Sequence, residues 1–421
     1  MEQLQSISIR TSDRTVNFTE TLHFIYAQLP MFHRVGPAAY KPGLENTIRL
    51  MDSIGHPYRG LPCIHVAGTN GKGSTSHLLA SILQTAGYKV GLYTSPHLKD
   101  FRERIRVGGE MIEEGFIVDF VAQHKETWAL LQPSFFEITV AMCFEYFKCK
   151  QVDIAVVETG LGGRLDSTNV IEPLLSIITN VSMDHMNLLG NTLEAIASEK
   201  AGIIKPGRPV VLGPMTEVAL NVMRNKAKSV GAPSVLAHVK WQDLFSECPL
   251  KGNYQQQNFA SVGTAINELR KLGYLITDEH IRSGAQQVVQ LTGLQGRWQI
   301  LHEQPYVVTD VAHNEDGIFH VLKQIEGSRF DTLHFVLGMV ADKDVSRVLN
   351  ILPKNAIYYF CKANIPRAMA ADRLAEEALV YNLVGHSYNS VGEAYAAAMA
   401  RASKKDMVFV GGSVFTVAEV I

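Results

Sequence analysis

The chain has 421 residues, 46% of them hydrophobic and 19% charged, with a formal net charge of −2. That length exceeds what a single hydrophobic core usually supports, so two domains are expected. Lys and Arg are spread along the chain without a surplus, which argues against a nucleic-acid partner whose backbone must be neutralised.

The opening segment, MEQLQSISIRTSDRTVNF, lacks the basic stretch and apolar core of a secretion signal, and no later apolar run reaches membrane-spanning length. A cytoplasmic protein with no membrane partner is therefore expected. Cys63, Cys143, Cys149, Cys248 and Cys361 are odd in number and contain no C-x-x-C pair, so they are expected to be reduced core residues.

In chain order, β-branched runs predict strands at about 62–67, 88–93, 153–158, 174–180 and 208–213, with helical patterns between several of them. Such alternation predicts a parallel sheet covered on both faces. A helix is expected over 258–272, and the Gly-containing TGLQGRW then marks a boundary near Arg297. Beyond it PYVVTD, LHFVLG, AIYYFC and MVFVGG read as four strands of a smaller doubly wound unit. The expected division is 1–296 and 297–421.

Between the first strand and a helix predicted at Ser74–Gln84 lies G-T-N-G-K-G-S-T, Gly68 to Thr75. Gly68, Gly71 and Gly73 permit unusual φ angles and let backbone N–H groups approach an anion at the helix N-terminus. Lys72 adds a mobile charge for the outer phosphates, and the Ser74 or Thr75 hydroxyl suits a bridging magnesium ion. The spacing differs from G-x-x-x-x-G-K-[ST], yet the loop reads as that of a nucleoside triphosphate site, a Gly-rich turn without ligand being the plainer alternative.

Glu158 ends the apolar run VDIAVVE at the edge where an open α/β sheet binds ligands, a position suited to a magnesium ligand. Asp184 and His185 follow another strand; His185 is a candidate metal ligand oriented by Asp184, and a structural Asp-His pair is the plainer alternative. Lys200, near a helix end among apolar neighbours, reads by default as a snorkelling or salt-bridged lysine.

These motifs together resemble the folylpolyglutamate synthase and dihydrofolate synthase family of the Mur ligase superfamily, from about Leu44 onward. The resemblance is carried by G-T-N-G-K-G-S, by E-T-G-L-G-G-R-L-D-S-T-N (Glu158 to Asn169), by Asp184-His185 and by E-K-A-G (Glu199 to Gly202). Y-T-S-P-H-L-K-D-F-R-E-R-I (Tyr93 to Ile105) and F-F-E-I-T (Phe135 to Thr139) look like the folate branch rather than cell-wall ligases. Y-Q-Q-Q-N, G-R, D-V-A-H-N and D-K-D complete the pattern, with Val311 and Glu315 where the family commonly has Gly and Pro.

The resemblance implies a Mur-ligase-type ATPase domain with a parallel-rich sheet and a folate-binding loop, followed by a Rossmann-like glutamate-ligase domain. It implies ATP and Mg2+ as cofactors. Nucleotide contacts would come from Gly68, Thr69, Asn70, Gly71, Lys72, Gly73, Ser74, Thr75, Asn258, Arg297, Asp310 and His313. Ser74, Glu158, His185 and a carbamylated Lys200 would hold metal, with Lys72, Glu158, His185 and Lys200 catalytic. Ser95, Pro96, His97, Arg102 and Arg104 would bind the pterin substrate, with Phe135 and Phe136 lining it or simply packing in the core.

The expected reaction is ATP-dependent addition of L-glutamate to a folate, to dihydropteroate, or to both, through an acyl phosphate, by a monomer. The alternatives are a related amide ligase acting on a cell-wall precursor and a nucleotide-dependent switch or phosphotransferase.

Overall fold

The computed structural model describes residues 17–28, 43–238 and 241–421. The leader-free opening inferred for residues 1–16 lies outside them. Strands β1 (Cys63–Ala67), β2 (Val90–Tyr93), β3 (Ile105–Val107), β4 (Glu110–Met111), β5 (Ile154–Glu158), β6 (Leu175–Ile178), β7 (Val210–Leu212) and β8 (Ser234–Leu236) form one sheet. Its order is β4-β3-β2-β5-β1-β6-β7-β8. The six strands from β2 to β8 run parallel, and β3 and β4 add an antiparallel edge.

The five strands expected from the sequence are all present, and β1, β2, β5 and β6 are buried along their whole length, as a sheet covered on both faces requires. Helices Glu114–Leu131 and Phe135–Cys149 bury one face of the sheet. Helices Lys72–Thr85, Gln255–Lys271 and Asp278–Gln286 bury the other. Close packing on that side needs Gly284, where a Cβ would stand 2.5 Å from Ile82 Cα.

A second sheet comprises β9 (Gln299–His302), β10 (Tyr306–Thr309), β11 (Leu333–Leu337), β12 (Ile357–Cys361), β13 (Gly385–Tyr388) and β14 (Met407–Gly411), in the order β13-β12-β11-β14-β10-β9. Only β9 is antiparallel. The four strands expected here are β10, β11, β12 and β14. Separate apolar clusters cover its two faces, so each sheet has its own core.

Four cysteines are buried and all five are free; Cys149, at the exposed end of its helix, is not a core residue. No helix among the described residues is long and apolar enough to cross a membrane.

Candidate active site

The carboxyl ends of β1, β5 and β6 meet where the strand order changes direction, and the loops leaving them build the site. Gly68 (φ 152°) and Gly71 (φ 82°) take backbone conformations that side chains disfavour. A Cβ at Gly68 would lie 1.8 Å from Thr179 Oγ1, and one at Gly71 2.3 Å from Asn258 Oδ1, so only glycine fits either position. Lys72 Nζ donates to the carbonyls of Gly68 and Thr69, each at 3.2 Å, and so folds back over the loop.

The hydroxyls proposed for metal are enclosed. Ser74 Oγ accepts from Gln255 Nε2 at 3.1 Å, Gln255 Oε1 in turn accepts from Asn258 Nδ2 at 2.7 Å, and Thr75 is fully buried. Thr69 exchanges hydrogen bonds with the backbone of Ser182. Arg297 reaches from the segment after β8 to within 3.0 Å of where a Cβ on Gly73 would stand.

Asn70 turns its side chain away from the loop toward the second sheet, donating to Asn314 Oδ1 (3.1 Å) and Asp316 Oδ2 (2.8 Å). Asp310 is likewise committed: its carboxylate accepts from Tyr254 Oη at 2.5 Å, Trp298 N at 2.7 Å and Ala312 N at 2.9 Å. The two departures from the family pattern are accommodated beside it. Val311 packs its Cγ1 where a Cβ of Gly296 would stand, and Glu315 opens the helix Glu315–Glu326, where an acidic residue favours the helix dipole.

Beside the loop, a cavity of about 210 Å³ opens between the two sheets. The first sheet contributes Lys72, Asp184, His185 and Lys200, and the second contributes Lys343 and Arg367. Phe135 and Phe136 line one end, while Phe135 also packs in the core.

Lys200 is only 4% exposed and donates to the Gly68 carbonyl at 2.9 Å. Burial, reinforced by the Lys72 charge, pushes its amine down to about 7. The nearby carboxylates are engaged elsewhere, Glu199 with Arg164 at 2.8 Å and Asp184 with Lys343 at 2.7 Å. The snorkelling lysine expected by default is thus excluded.

Glu158 is 3% exposed and receives the Ser95 N–H at 3.3 Å. Burial pushes its carboxyl up to about 7, against the pull of Lys72. Lys72, Arg297 and Arg104 place positive charge around it, and with a single backbone donor its oxygens keep lone pairs for a hard cation.

His185 falls in a different group from Glu158. Asp184, His185 and His313 bring one donor atom each within 4.8 Å of one another, the only such trio of His, Cys, Asp or Glu among the described residues. Burial pushes His185 down to about 3, which keeps its ring neutral. Burial opposes ionisation of Asp184 too, but His185 and Lys343 hold its carboxyl well below the usual range. Asp184 is thus a carboxylate hub facing the second sheet, with His185 beside it.

Of the loop expected to bind the pterin, Ser95 and Pro96 line the cavity. His97 and Arg104 instead pair with each other beneath it, Arg104 Nε donating to His97 Nδ1 at 2.7 Å and its guanidinium stacking 5.2 Å from the Phe135 ring centroid. Arg102 turns away to Asp100 (2.7 Å) and Glu114 (3.0 Å). The sequence reasoning passed over Gln255, Asn314 and Arg367. Gln255 and Asn314 lie inside quoted motifs, whereas nothing local marks Arg367.

Strand-end carboxylates and a lysine-bearing phosphate loop facing a second α/β unit across a cationic cavity define a Mur-type ligase. The family models agree: the Mur ligase middle domain matches residues 66–228 and the Mur ligase glutamate ligase domain matches residues 296–414. A dihydrofolate synthase/folylpolyglutamate synthase of Bacillus subtilis is 38% identical over 374 residues, covering 81% of this chain and 86% of the relative. A probable bifunctional folylpolyglutamate synthase/dihydropteroate synthase of Haloferax volcanii is 35% identical over 412 residues; these are 90% of this chain but 48% of the relative, so the chain spans about half that protein. Among solved structures, a bifunctional folylpolyglutamate synthase/dihydrofolate synthase with Mn, AMPPNP and L-glutamate bound superposes with a TM-score of 0.80 at 28% identity, covering 96% of this chain and 97% of that one. The chain belongs to the folylpolyglutamate synthase/dihydrofolate synthase family.

Proposed function

We propose that this protein uses ATP to join L-glutamate to the carboxylate of a folate, and of dihydropteroate, as a cytoplasmic monomer divided near Arg297. The observation that carries this reading is the cavity itself, which runs from Lys72 of the phosphate loop to Lys343 and Arg367 of the second sheet.

Amide formation in water needs an activated carboxylate. An acceptor carboxylate oxygen attacks the γ-phosphorus and ADP leaves; the glutamate amine then attacks the acyl carbon, the C–O bond to phosphate breaks, and the amine gives up a proton. Phosphoryl transfer of this kind is mainly positioning and electrostatic work. Lys72 and Arg297 would offset charge on the transferring group. Phe135 and Phe136 would hold the flat pterin by apolar contact, and Lys343 and Arg367 would pair with the two carboxylates of glutamate.

Glu158 would hold magnesium, whose chemistry when bound is to polarise the phosphoryl oxygens. With an amine near neutrality at pH 7, Lys200 would add carbon dioxide, forming an N–C bond and releasing a proton. The resulting carbamate would present oxygens to a second ion, with His185 alongside. The test is ADP formation by purified protein supplied with each acceptor separately, with and without L-glutamate. Turnover that ignores glutamate would remove the ligase assignment; use of one acceptor alone would reduce it to a monofunctional enzyme.

A further inference from the structure

Asn314 stands where the two sheets meet, and both polar atoms of its side chain are used there. Its Oδ1 accepts from Gly317 N at 2.8 Å, capping the helix Glu315–Glu326, and accepts from Asn70 Nδ2 at 3.1 Å. Its Nδ2 donates to Asn70 Oδ1 at 3.0 Å and to Asp184 Oδ2 at 2.9 Å.

Each of these partners leads on to a ligand-facing group. The backbone N–H of Asn70 is held by Asn180 Oδ1 at 2.8 Å and its carbonyl by Thr179 Oγ1 at 2.6 Å, so its side chain moves only as the loop moves. Asp184 takes Lys343 Nζ on its other oxygen at 2.7 Å, with His313 Nε2 3.4 Å from Oδ2. Lys343 lines the cavity. The His185 N–H holds Oδ1 at 2.8 Å, and with Asn314 Nδ2 and His313 on Oδ2 the carboxylate is pinned from both sides; Asn314 is the one of these donors that also reaches the phosphate loop, through Asn70.

We propose that Asn314 is a positioning residue: it ties the phosphate loop to Asp184, and through Asp184 it holds Lys343 where glutamate docks. Occupancy of the loop by nucleotide and completion of the glutamate site are thereby coupled. The inference rests on the ligase reading above. A phosphate filling the loop orders the backbone that carries Asn70, and an ordered Asn70 favours the docked Asn314. Neither residue needs to touch the amino acid for its affinity to depend on both.

The decisive variant is Asn314→Asp. It keeps the size and the Oδ1 acceptor that caps the helix, but replaces the donor facing Asp184 with a second carboxylate oxygen. Asn314→Ser, which also caps but is too short to span the junction, serves if the first variant fails to fold. In the wild type and both variants, KM is measured separately for ATP, acceptor and L-glutamate. Hydrogen exchange of segments 182–185 and 314–320 is followed with and without AMPPNP.

The expected result is a glutamate KM raised roughly tenfold or more at saturating ATP, as for loss of a charge-assisted hydrogen bond, with the acceptor KM and the ATP KM at low glutamate, where the reciprocal coupling is not felt, within about twofold. AMPPNP should protect both segments in the wild type and in neither variant. Equal rises in all three KM values, an unchanged glutamate KM, or nucleotide protection that survives in both variants would overturn the coupling. A wild-type protein that forms ADP without regard to glutamate would overturn the ligase reading, and this proposal with it; that outcome is seen before any variant is made.

Discussion

At Glu158 and Lys200, burial moves two ordinary ionisation ranges toward each other, to about 7 in both cases. The consequences for stability have opposite signs. Between pH 4.5 and 7 the folded Glu158 holds a proton that the unfolded chain has lost, so rising pH destabilises the fold. With carbon dioxide excluded, so that Lys200 stays a free amine, the unfolded chain holds the extra proton there between pH 7 and 10.5, and rising pH stabilises the fold. Urea unfolding of the wild type against Glu158→Gln should therefore show a relative loss across the acid window, with a slope of at most about 1.4 kcal/mol per pH unit. Against Lys200→Met it should show a relative gain across the alkaline one. Parallel stability curves in either comparison would mean that the group titrates as it does in water. A further residue-scale prediction concerns Lys72: its truncation to Ala should lower kcat by roughly 100-fold or more while the thermal midpoint stays within a few degrees, because its charge acts on the transferring phosphoryl group. Lys72 was legible from its glycine neighbours. The burial of Lys200 was not, since the Gly68 carbonyl that receives it lies 132 positions earlier in the chain.

The helix Phe135–Cys149 shows what motif spacing reveals about an element and what it hides. F-F-E-I-T drew notice as a substrate segment, but the structure makes Ser134 and Glu137 a reciprocal capping box that starts a helix apolar on most sides. Such all-round burial erases the helical periodicity that a sequence reading depends on. Strands β9 and β13 escaped for the reverse reason: they lie at the sheet edges, half exposed, with too few apolar residues to stand out. Glu137 also receives Asn46 Nδ2 at 3.1 Å and Thr47 Oγ1 at 3.3 Å, which joins this helix to the helix Glu45–Ser53. Ser134→Ala should therefore cost about 1–2 kcal/mol in denaturant unfolding, as loss of an N-cap does. Because Ser134, Phe135 and Phe136 face the cavity, the same change should raise KM for the pterin acceptor more than KM for ATP. Loss of stability with all KM values unchanged would confine the box to a structural role.

Across the whole molecule, the two sheets each carry their own core, yet they are joined by polar contacts between residues far apart in the chain. Asn70 and Asn314 are separated by 244 positions, Asp184 and Lys343 by 159, and Tyr254 and Asp310 by 56. Periodicity and turn signals act over a few residues, so they could mark the two units and their order but not the pairs between them. Asp310 belongs to a familiar motif and was expected to contact nucleotide; in the structure its carboxylate gathers one hydroxyl and two backbone N–H groups. Burial pushes this carboxyl above its usual range while its donors hold it down. The Tyr254 hydroxyl reaches it from the start of the helix Gln255–Lys271, which packs on the first sheet, whereas Trp298 packs in the core of the second. Asp310→Ala should leave the buried Trp298 N–H and the part-buried Tyr254 hydroxyl and Ala312 N–H without their acceptor, at a cost of about 2–3 kcal/mol. It should also weaken the mechanical link between the units. The expected calorimetric outcome is one cooperative transition in the wild type and two resolved transitions in Asp310→Ala, the lower one assigned by hydrogen exchange to residues 299–411. A single transition shifted down as a whole would instead show that the two cores stay coupled through their remaining polar contacts, those of Asn314, Asp184 and Asp316 among them.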